Sequence, residues 1–189
     1  TVADPTGRLV LGTQNNCSGG VTPWGTFLSG EENINNVLTA KASPEATRYG
    51  IGTKPTSRRW DLVDPRWDGN NEGYENEINR FGWVVEIDPQ DPSSTPVKHT
   101  SMGRFKHEGA NVYVAADGTV VAYSGDDQRF DYLYKFVSAK KHKQGDRRHN
   151  MTLLSEGDLY VAKFTGDSEK EIDGSGRLPS DGAFDGKGQ

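Results

Sequence analysis

Short stretches in which apolar and polar residues alternate predict β-strands, most clearly in the second half of the chain. Two of them, N-V-Y-V-A at residues 111–115 and T-V-V-A-Y-S at residues 119–124, flank the dipeptide Asp117-Gly118. Alternating runs around Asp-Gly are typical of a tight β-hairpin. Further strand-like runs lie at residues 83–87, 132–137 and 159–164. No long window shows the helical period of about 3.6 residues, so the pattern predicts a mostly β fold of antiparallel sheets, with at most a short helix within residues 31–41.

A sequence repeat relates two of these regions. Residues 26–32, T-F-L-S-G-E-E, align with residues 121–127, V-A-Y-S-G-D-D, so that each copy is a strand ending in Ser-Gly and two acids. A strand containing aromatic residues follows each copy, at residues 82–88 and 132–138. Repeated sheet units with Gly-rich turns are typical of β-propellers. We therefore predict about two to three blades of a β-propeller, with a two-sheet sandwich as the alternative.

The repeat also suggests how the chain is organised. Residues 1–165 are expected to form the partial propeller, and residues 33–81, which are rich in Asn, Arg, Trp and Glu, form an insertion within its first copy. The role of this insertion does not follow from its sequence. Residues 166–189 are rich in Gly, Asp and Ser and are expected to form a disordered tail or linker. From its first and last residues, we expect the chain to be a piece of a longer protein.

Composition and charge limit the classes of partner. The chain carries 22 Lys and Arg against 27 Asp and Glu, a net charge of −5, which disfavours nonspecific binding to nucleic acid or anionic membranes. No apolar run approaches the roughly 20 residues of a membrane span. Apolar residues make up only 32 %, so aromatic side chains must contribute much of the core. We therefore expect neither a nucleic-acid nor a membrane partner.

The repeat brings several acids and the single cysteine to one edge of the predicted sheets. In an antiparallel hairpin, the residue that enters the first strand and the residue that leaves the second lie at the same end. The residues at these ends are Cys17, Glu31 and Glu32 in the first unit, and Glu108, Asp126 and Asp127 in the second. If the two units are neighbours, five carboxylates and one thiol share one rim.

Carboxylates at such close range repel each other, and a bound cation relieves that repulsion. Carboxylates favour hard ions such as Ca²⁺, and a thiolate adds a ligand for a softer transition metal. The spacing matches neither a zinc finger, nor an EF-hand, nor H-E-x-x-H. The alternative is a set of solvated acidic turns, since Ser-Gly followed by acids also forms ordinary turns.

Four segments resemble the PhoX family of alkaline phosphatases. They are N-N-C-S-G-G-V-T-P-W-G-T-F-L-S-G-E-E-N, G-R-F-K-H-E-G-A-N-V, Y-S-G-D-D-Q-R-F-D-Y-L-Y-K-F-V-S and E-G-D-L-Y-V-A-K-F. The resemblance implies a β-propeller enzyme that hydrolyses phosphate monoesters with a cluster of iron and calcium ions. Cys17 then corresponds to the iron-ligating cysteine. Glu32, Glu31 and Glu108 correspond to cluster carboxylates, and the repeat alone adds Asp126 and Asp127.

The resemblance also implies a context for the chain. Members of the family are longer and exported, so we expect a periplasmic or secreted protein whose partners are phosphate-ester small molecules and the remainder of its own propeller. The 189 residues alone are expected to be inactive. The alternative function is a noncatalytic, calcium-stabilised β-propeller module for binding or structure.

Several basic residues are candidates for other roles. Arg104 and Lys106 are candidate phosphate contacts, with a solvated strand edge as the alternative reading. For Arg58 and Arg59, in the insertion, substrate contact and plain surface exposure both stay open. His107, next to Glu108, is either a supporting partner of the site or a surface histidine.

Overall fold

The computed structural model describes residues 1–2 and 4–162, and within them the chain forms two four-stranded antiparallel sheets. The first sheet contains β1 (Asn16–Val21), β2 (Phe27–Glu31), β3 (Val84–Ile87) and β4 (Val97–His99). The second contains β5 (Asn111–Val114), β6 (Thr119–Gly125), β7 (Leu133–Lys141) and β8 (Gly157–Val161). Strand order follows the chain in both sheets. The predicted mostly β, antiparallel fold is confirmed. The predicted tail, residues 166–189, lies outside the described residues.

The Asp-Gly signal gives the hairpin that it predicted. The Ala115 amide donates to the Thr119 carbonyl at 2.8 Å, and Gly118 adopts a φ of +83° in the turn between β5 and β6. The Asp117 carboxylate accepts a hydrogen bond from the Thr119 amide at 3.0 Å. The repeat is also visible in the topology, because its two copies end as β2 and β6, the second strand of each sheet.

The two sheets share one hydrophobic core. In the second sheet, Val120 and Ala122 are buried while Tyr123 is exposed, as the period of two along a strand requires. The buried members of the core come from both sheets and their connections: Trp24, Leu28, Val84, Met102, Ala110, Val120, Ala122, Phe136, Leu153 and Leu154. One face of each sheet therefore packs inward.

The insertion forms a second core of its own. Its regular elements are a short helix, α1 (Pro44–Arg48), and the 3₁₀ turns Ile34–Asn36, Trp60–Leu62, Pro65–Trp67 and Glu77–Arg80. Ser43 caps α1 by accepting a hydrogen bond from the Ala46 amide at 3.0 Å, and Pro44 occupies the first helical position. The side chains buried in this core are Ile34, Val37, Leu38, Ala40, Ala46, Ile51, Trp67, Ile78 and Phe81.

Two glycines of the first sheet allow the second sheet to approach closely, and one of them, Gly30, is next to Glu31. A Cβ atom on Gly20 would lie 2.2 Å from the Ala110 carbonyl oxygen, and one on Gly30 would lie 2.4 Å from the His107 carbonyl oxygen. The His107 amide donates to the Glu31 carbonyl at 3.2 Å across this contact. The start of the second sheet is thereby held against the end of β2.

A second short helix, α2 (Arg147–Asn150), also links the two halves. Arg147 forms two hydrogen bonds to Asp88 at the end of β3, at 2.6 and 2.7 Å, and a third to the Trp24 carbonyl at 3.0 Å. This pairing holds the pKa of Asp88 at about 2. Among the described residues, no helix has the length and apolar character needed to cross a membrane.

Candidate metal centre

The candidate centre lies where the ends of β2 and β6 meet the segment before β5. The Glu32 amide donates to the Asn15 carbonyl at 3.1 Å, next to the start of β1. The Asp127 amide donates to the Lys106 carbonyl at 3.1 Å, and His107 pairs with Asp126 in an isolated antiparallel bridge. These backbone contacts bring both copies of the repeat to one edge.

Three of the predicted acids converge there. One carboxylate oxygen from each of Glu32, Glu108 and Asp127 lies within 4.8 Å of the others. We call these three residues the carboxylate cluster. Glu32 is half-buried, whereas Glu108 and Asp127 are exposed. Cys17 is also exposed, and it lines the same pocket as Glu32.

Among the described residues, no basic side chain forms an ion pair with the carboxylate cluster, since no Lys, Arg or His lies within ion-pair distance of Glu32, Glu108 or Asp127. Burial raises the pKa of Glu32, contact with Asp127 and the charge of Glu108 raise it further, and the Cys17 thiol opposes the rise. A cation held by these oxygens would relieve the repulsion.

A polar pocket of about 230 Å³ opens beside the cluster. Its lining combines the thiol, one cluster acid, several amides and one arginine from the insertion: Asn15, Asn16, Cys17, Glu32, Asn33, Asn36 and Arg58. The sequence left the role of Arg58 open. The structure places Arg58 in the wall of this pocket, although it follows Glu32 by 26 positions in the sequence.

Glu31 lies apart from the carboxylate cluster. Its buried carboxylate accepts hydrogen bonds from the Gln14 amide at 2.8 Å and from the Lys98 ammonium at 2.7 Å. The other oxygen accepts from the amides of Gly82 and Trp83, at 3.0 and 3.1 Å. Successive residues at a strand end point to opposite sides, so Glu31 faces the protein interior while Glu32 faces the pocket.

Asp126 is likewise turned away and orders the loop that carries Asp127. Its carboxylate accepts hydrogen bonds from the amides of Lys106 at 3.3 Å and Gln128 at 2.9 Å. Its other oxygen lies 3.5 Å from Arg48 of α1. Burial raises the pKa of Asp126, and the charge of Arg48 opposes that effect. Asp126 therefore fixes the loop against the insertion.

Arg104, one of the two candidate phosphate contacts, directs its guanidinium to backbone carbonyls of the insertion, and the phosphate contact of Lys106 stays a prediction. The Arg104 guanidinium donates to the carbonyls of Phe81, at 2.8 Å, and Ile78, and it stacks 4.0 Å from the centre of the Tyr49 ring. Arg104 therefore anchors the insertion. Lys106 contributes backbone hydrogen bonds to the loop of Asp126 and Asp127.

His107 supports the site from the interior. The ring is fully buried, with Nδ1 at 2.8 Å from the Ser124 hydroxyl and Nε2 at 3.0 Å from the Gly103 carbonyl. Burial lowers the pKa of His107 to about 4, so the ring is neutral near pH 7. The reading of His107 as a surface histidine is wrong, and its packing fixes the backbone that presents Glu108.

Comparison with known proteins shows the family of the chain. The sequence model described as "Alkaline phosphatase PhoX" matches residues 1–184. The structure is similar to that of Pseudomonas fluorescens PhoX in complex with vanadate, a transition state analogue, with a TM-score of 0.83 and 45 % sequence identity. That alignment covers 89 % of this chain and 30 % of the Pseudomonas chain. No curated protein matches the chain. The chain therefore belongs to the PhoX family of alkaline phosphatases.

Proposed function

We propose that this chain supplies a metal-binding part of an alkaline phosphatase that hydrolyses phosphate monoesters. The observation that carries the proposal is the convergence of Glu32, Glu108 and Asp127 within 4.8 Å. The family supports the reaction class, and its Pseudomonas member was solved with vanadate, a transition state analogue. Because the alignment covers 30 % of that relative, the activity belongs to the longer protein in this proposal.

The donor set fits the proposed ions, calcium and iron. The oxygens of Glu32, Glu108 and Asp127 are the kind of ligand that Ca²⁺ prefers. The Cys17 thiol, once deprotonated, adds a soft donor suited to iron. When bound, such ions neutralise charge on the phosphoryl oxygens and activate an oxygen nucleophile. The absence of a basic ion-pair partner for the three acids, in the part of the chain that is described, agrees with this assignment.

The remaining residues of the site hold these donors in place. Glu31 accepts four hydrogen bonds, two from the amides of Gly82 and Trp83 just before β3, one from the Gln14 amide and one from the Lys98 ammonium. The Asp126 carboxylate fixes the loop that carries Asp127, and the neutral ring of His107 fixes the backbone next to Glu108. Hydrogen bonds within the protein thereby hold the backbone that carries the carboxylate cluster, which favours tight and selective binding of an ion.

The two sheets also support a propeller arrangement. Each is a four-stranded antiparallel meander in chain order, and the repeat occupies the same strand in both. We propose that they are successive blades, and that the remainder of the propeller packs against their outer faces. Export to the periplasm or the cell exterior is part of the same proposal. Recovery of the natural protein solely from the cytoplasmic fraction would contradict export.

Elemental analysis combined with phosphatase assays tests the proposed function. The full-length natural protein should contain iron and calcium and hydrolyse p-nitrophenyl phosphate. Glu108→Gln and Asp127→Asn should each lower metal content and activity together. Glu156→Gln is the matched control, because Glu156 is an exposed acid whose neighbour is Lys140. Full metal content and turnover in both cluster variants would refute the proposal, and calcium without turnover would favour a noncatalytic module.

A further inference from the structure

We infer that Arg58, in the insertion, binds the phosphoryl group of the substrate at the pocket beside the carboxylate cluster. This inference rests on the proposed function and assigns a residue to substrate recognition. The guanidinium group matches the geometry of phosphate oxygens and can donate two parallel hydrogen bonds to them. Arg58 lines the pocket of about 230 Å³ together with Cys17 and Glu32.

The rest of the pocket wall suits an oxyanion. Apart from Cys17, Glu32 and Arg58, the residues that line it are all asparagines: Asn15, Asn16, Asn33 and Asn36. Amide groups donate hydrogen bonds without carrying negative charge. The side-chain amides of Asn15 and Asn16 already donate to the Asn33 carbonyl and the Ser29 hydroxyl, whereas those of Asn33 and Asn36 form no hydrogen bond among the described residues. Arg58 is therefore positioned to hold an anion next to the acids that would bind the cations.

The neighbouring Arg59 differs from Arg58 in a way that supports the assignment of Arg58 to substrate binding. Arg59 is paired with Asp61 through two hydrogen bonds, Nε to Oδ1 and Nη2 to Oδ2, both at 3.1 Å. Arg58 forms no hydrogen bond or ion pair with its side chain among the described residues, and it lies in the pocket wall. Of two neighbouring arginines, one is thus neutralised internally and the other is available to an anion.

The turn that carries Arg58 is itself held in place. Arg59 adopts a left-handed backbone with φ of 52° and begins the 3₁₀ turn Trp60–Leu62. The Trp60 ring packs edge-on against Trp67, with centroids 5.3 Å apart, and Trp67 is buried in the core of the insertion. The insertion therefore fixes the approach of Arg58 to the pocket, which gives this segment a role that its sequence did not specify.

If Arg58 only balanced the charge of the acids, a different experimental result would be expected. If Arg58 served only to balance the cluster acids, it would pair with Glu32, yet the two residues share the pocket wall without an ion pair. Loss of such a balancing charge would change metal content. Loss of a phosphoryl contact would leave metal content intact and weaken the binding of phosphate.

Kinetics of the full-length natural protein test the inference. Arg58→Gln should leave iron and calcium content unchanged, lower kcat/KM for p-nitrophenyl phosphate about 10- to 100-fold, and weaken inhibition by inorganic phosphate and vanadate about tenfold or more, the effect expected for loss of a charged hydrogen bond. Arg58→Lys should recover part of the loss. Arg59→Gln, the matched control, should stay within about twofold. Unchanged phosphate inhibition in Arg58→Gln, or loss of metal in that variant, would overturn the inference.

A second measurement does not depend on turnover. Phenylglyoxal modifies accessible arginines, and mass spectrometry reads each site separately. Inorganic phosphate should slow modification of Arg58 and leave that of Arg59 unchanged. If the wild-type protein hydrolysed no phosphate ester, the proposed function would fail, while protection of Arg58 would still support an oxyanion site. Equal modification of Arg58 with and without phosphate would refute the inference in either case.

Discussion

The two acids of each repeat copy have different environments. Glu31 and its counterpart Asp126 accept backbone hydrogen bonds inside the protein, whereas Glu32 and Asp127 face outward and join Glu108. The inner acid of each pair therefore organises the strand end, and the outer acid is available as a ligand. The sequence analysis placed all of these acids on one rim, because the repeat does not show which side of the sheet each acid faces.

Removing the charge of Glu31 should lower the stability of the protein, whereas removing the charge of Glu32 should lower its metal content. Glu31→Gln leaves the Lys98 ammonium, 2.7 Å away, without its buried partner, so it should lower the free energy of unfolding by about 2–4 kcal/mol. Glu32→Gln should lower metal content instead and leave the stability of the metal-free protein unchanged or higher, because repulsion with Asp127 is removed. Denaturant unfolding and elemental analysis measure the two effects. Metal loss in Glu31→Gln without destabilisation would contradict this division.

Cys17 is predicted to hold iron rather than to act as a nucleophile. Cys17→Ser is nearly isosteric and replaces a soft donor with a hard one, so the variant should lose iron and the associated visible absorption while the protein stays folded. Calcium at the carboxylate cluster should be retained. Absorption spectroscopy and elemental analysis measure the iron and calcium content of the variant directly. Iron at full occupancy in Cys17→Ser would show that the thiol is not a ligand.

At the scale of elements, the site depends on how closely the two sheets meet. Gly30 and Gly125 are equivalent in the repeat but have different surroundings. A Cβ on Gly30 would lie 2.4 Å from the His107 carbonyl, whereas a Cβ on Gly125 has no neighbour within 4 Å. The repeat alone therefore does not reveal that one of these glycines is needed for packing between the sheets.

This difference gives a matched pair of variants. Gly30→Ala should separate β2 from the segment before β5, lower the free energy of unfolding by more than about 2 kcal/mol and reduce metal content. Gly125→Ala should change stability by no more than about 1 kcal/mol, since the added methyl group meets no atom. Thermal unfolding and elemental analysis compare the two proteins. Equal stability of both variants would show that close backbone approach at Gly30 is not required.

Features encoded by neighbouring residues could be predicted from the sequence, whereas features that depend on long-range contacts could not. The Asp117-Gly118 turn and the two strands that flank it, β5 and β6, are encoded within a few residues, so the sequence predicts them correctly. The folded structure of the insertion depends on long-range contacts such as that between the rings of Trp67 and Phe81. No short sequence pattern reveals such contacts. For the same reason, the sequence did not show that Arg104 anchors the insertion.

At the scale of the whole molecule, both sheets keep an exposed apolar face. The outer side of the second sheet carries Tyr113, Tyr123 and Tyr160, with exposed fractions of 63, 43 and 49 %. Val21 and Phe27 are exposed on the first sheet. The relative with which the chain aligns is much longer, since the match covers 30 % of it. These faces fit the proposal that further sheets of the natural protein pack against them.

Under the proposed function, the isolated 189 residues are expected to lack phosphatase activity, and the full-length natural protein is expected to hydrolyse p-nitrophenyl phosphate. The reason is that the chain holds only part of the ligands and packing surface in this account. Assays of both proteins at equal concentration, with iron and calcium supplied, make the comparison. Comparable turnover by the isolated chain would mean that the site is complete within it.

The central claim is that Cys17 and the carboxylate cluster hold metal ions, and anomalous diffraction from crystals of the natural protein tests it most directly. Data collected on both sides of the iron absorption edge should give an iron peak in contact with the Cys17 sulfur, with density for calcium among the oxygens of Glu32, Glu108 and Asp127. Metal peaks elsewhere in an active protein, with this edge of the two sheets holding none, would contradict the account.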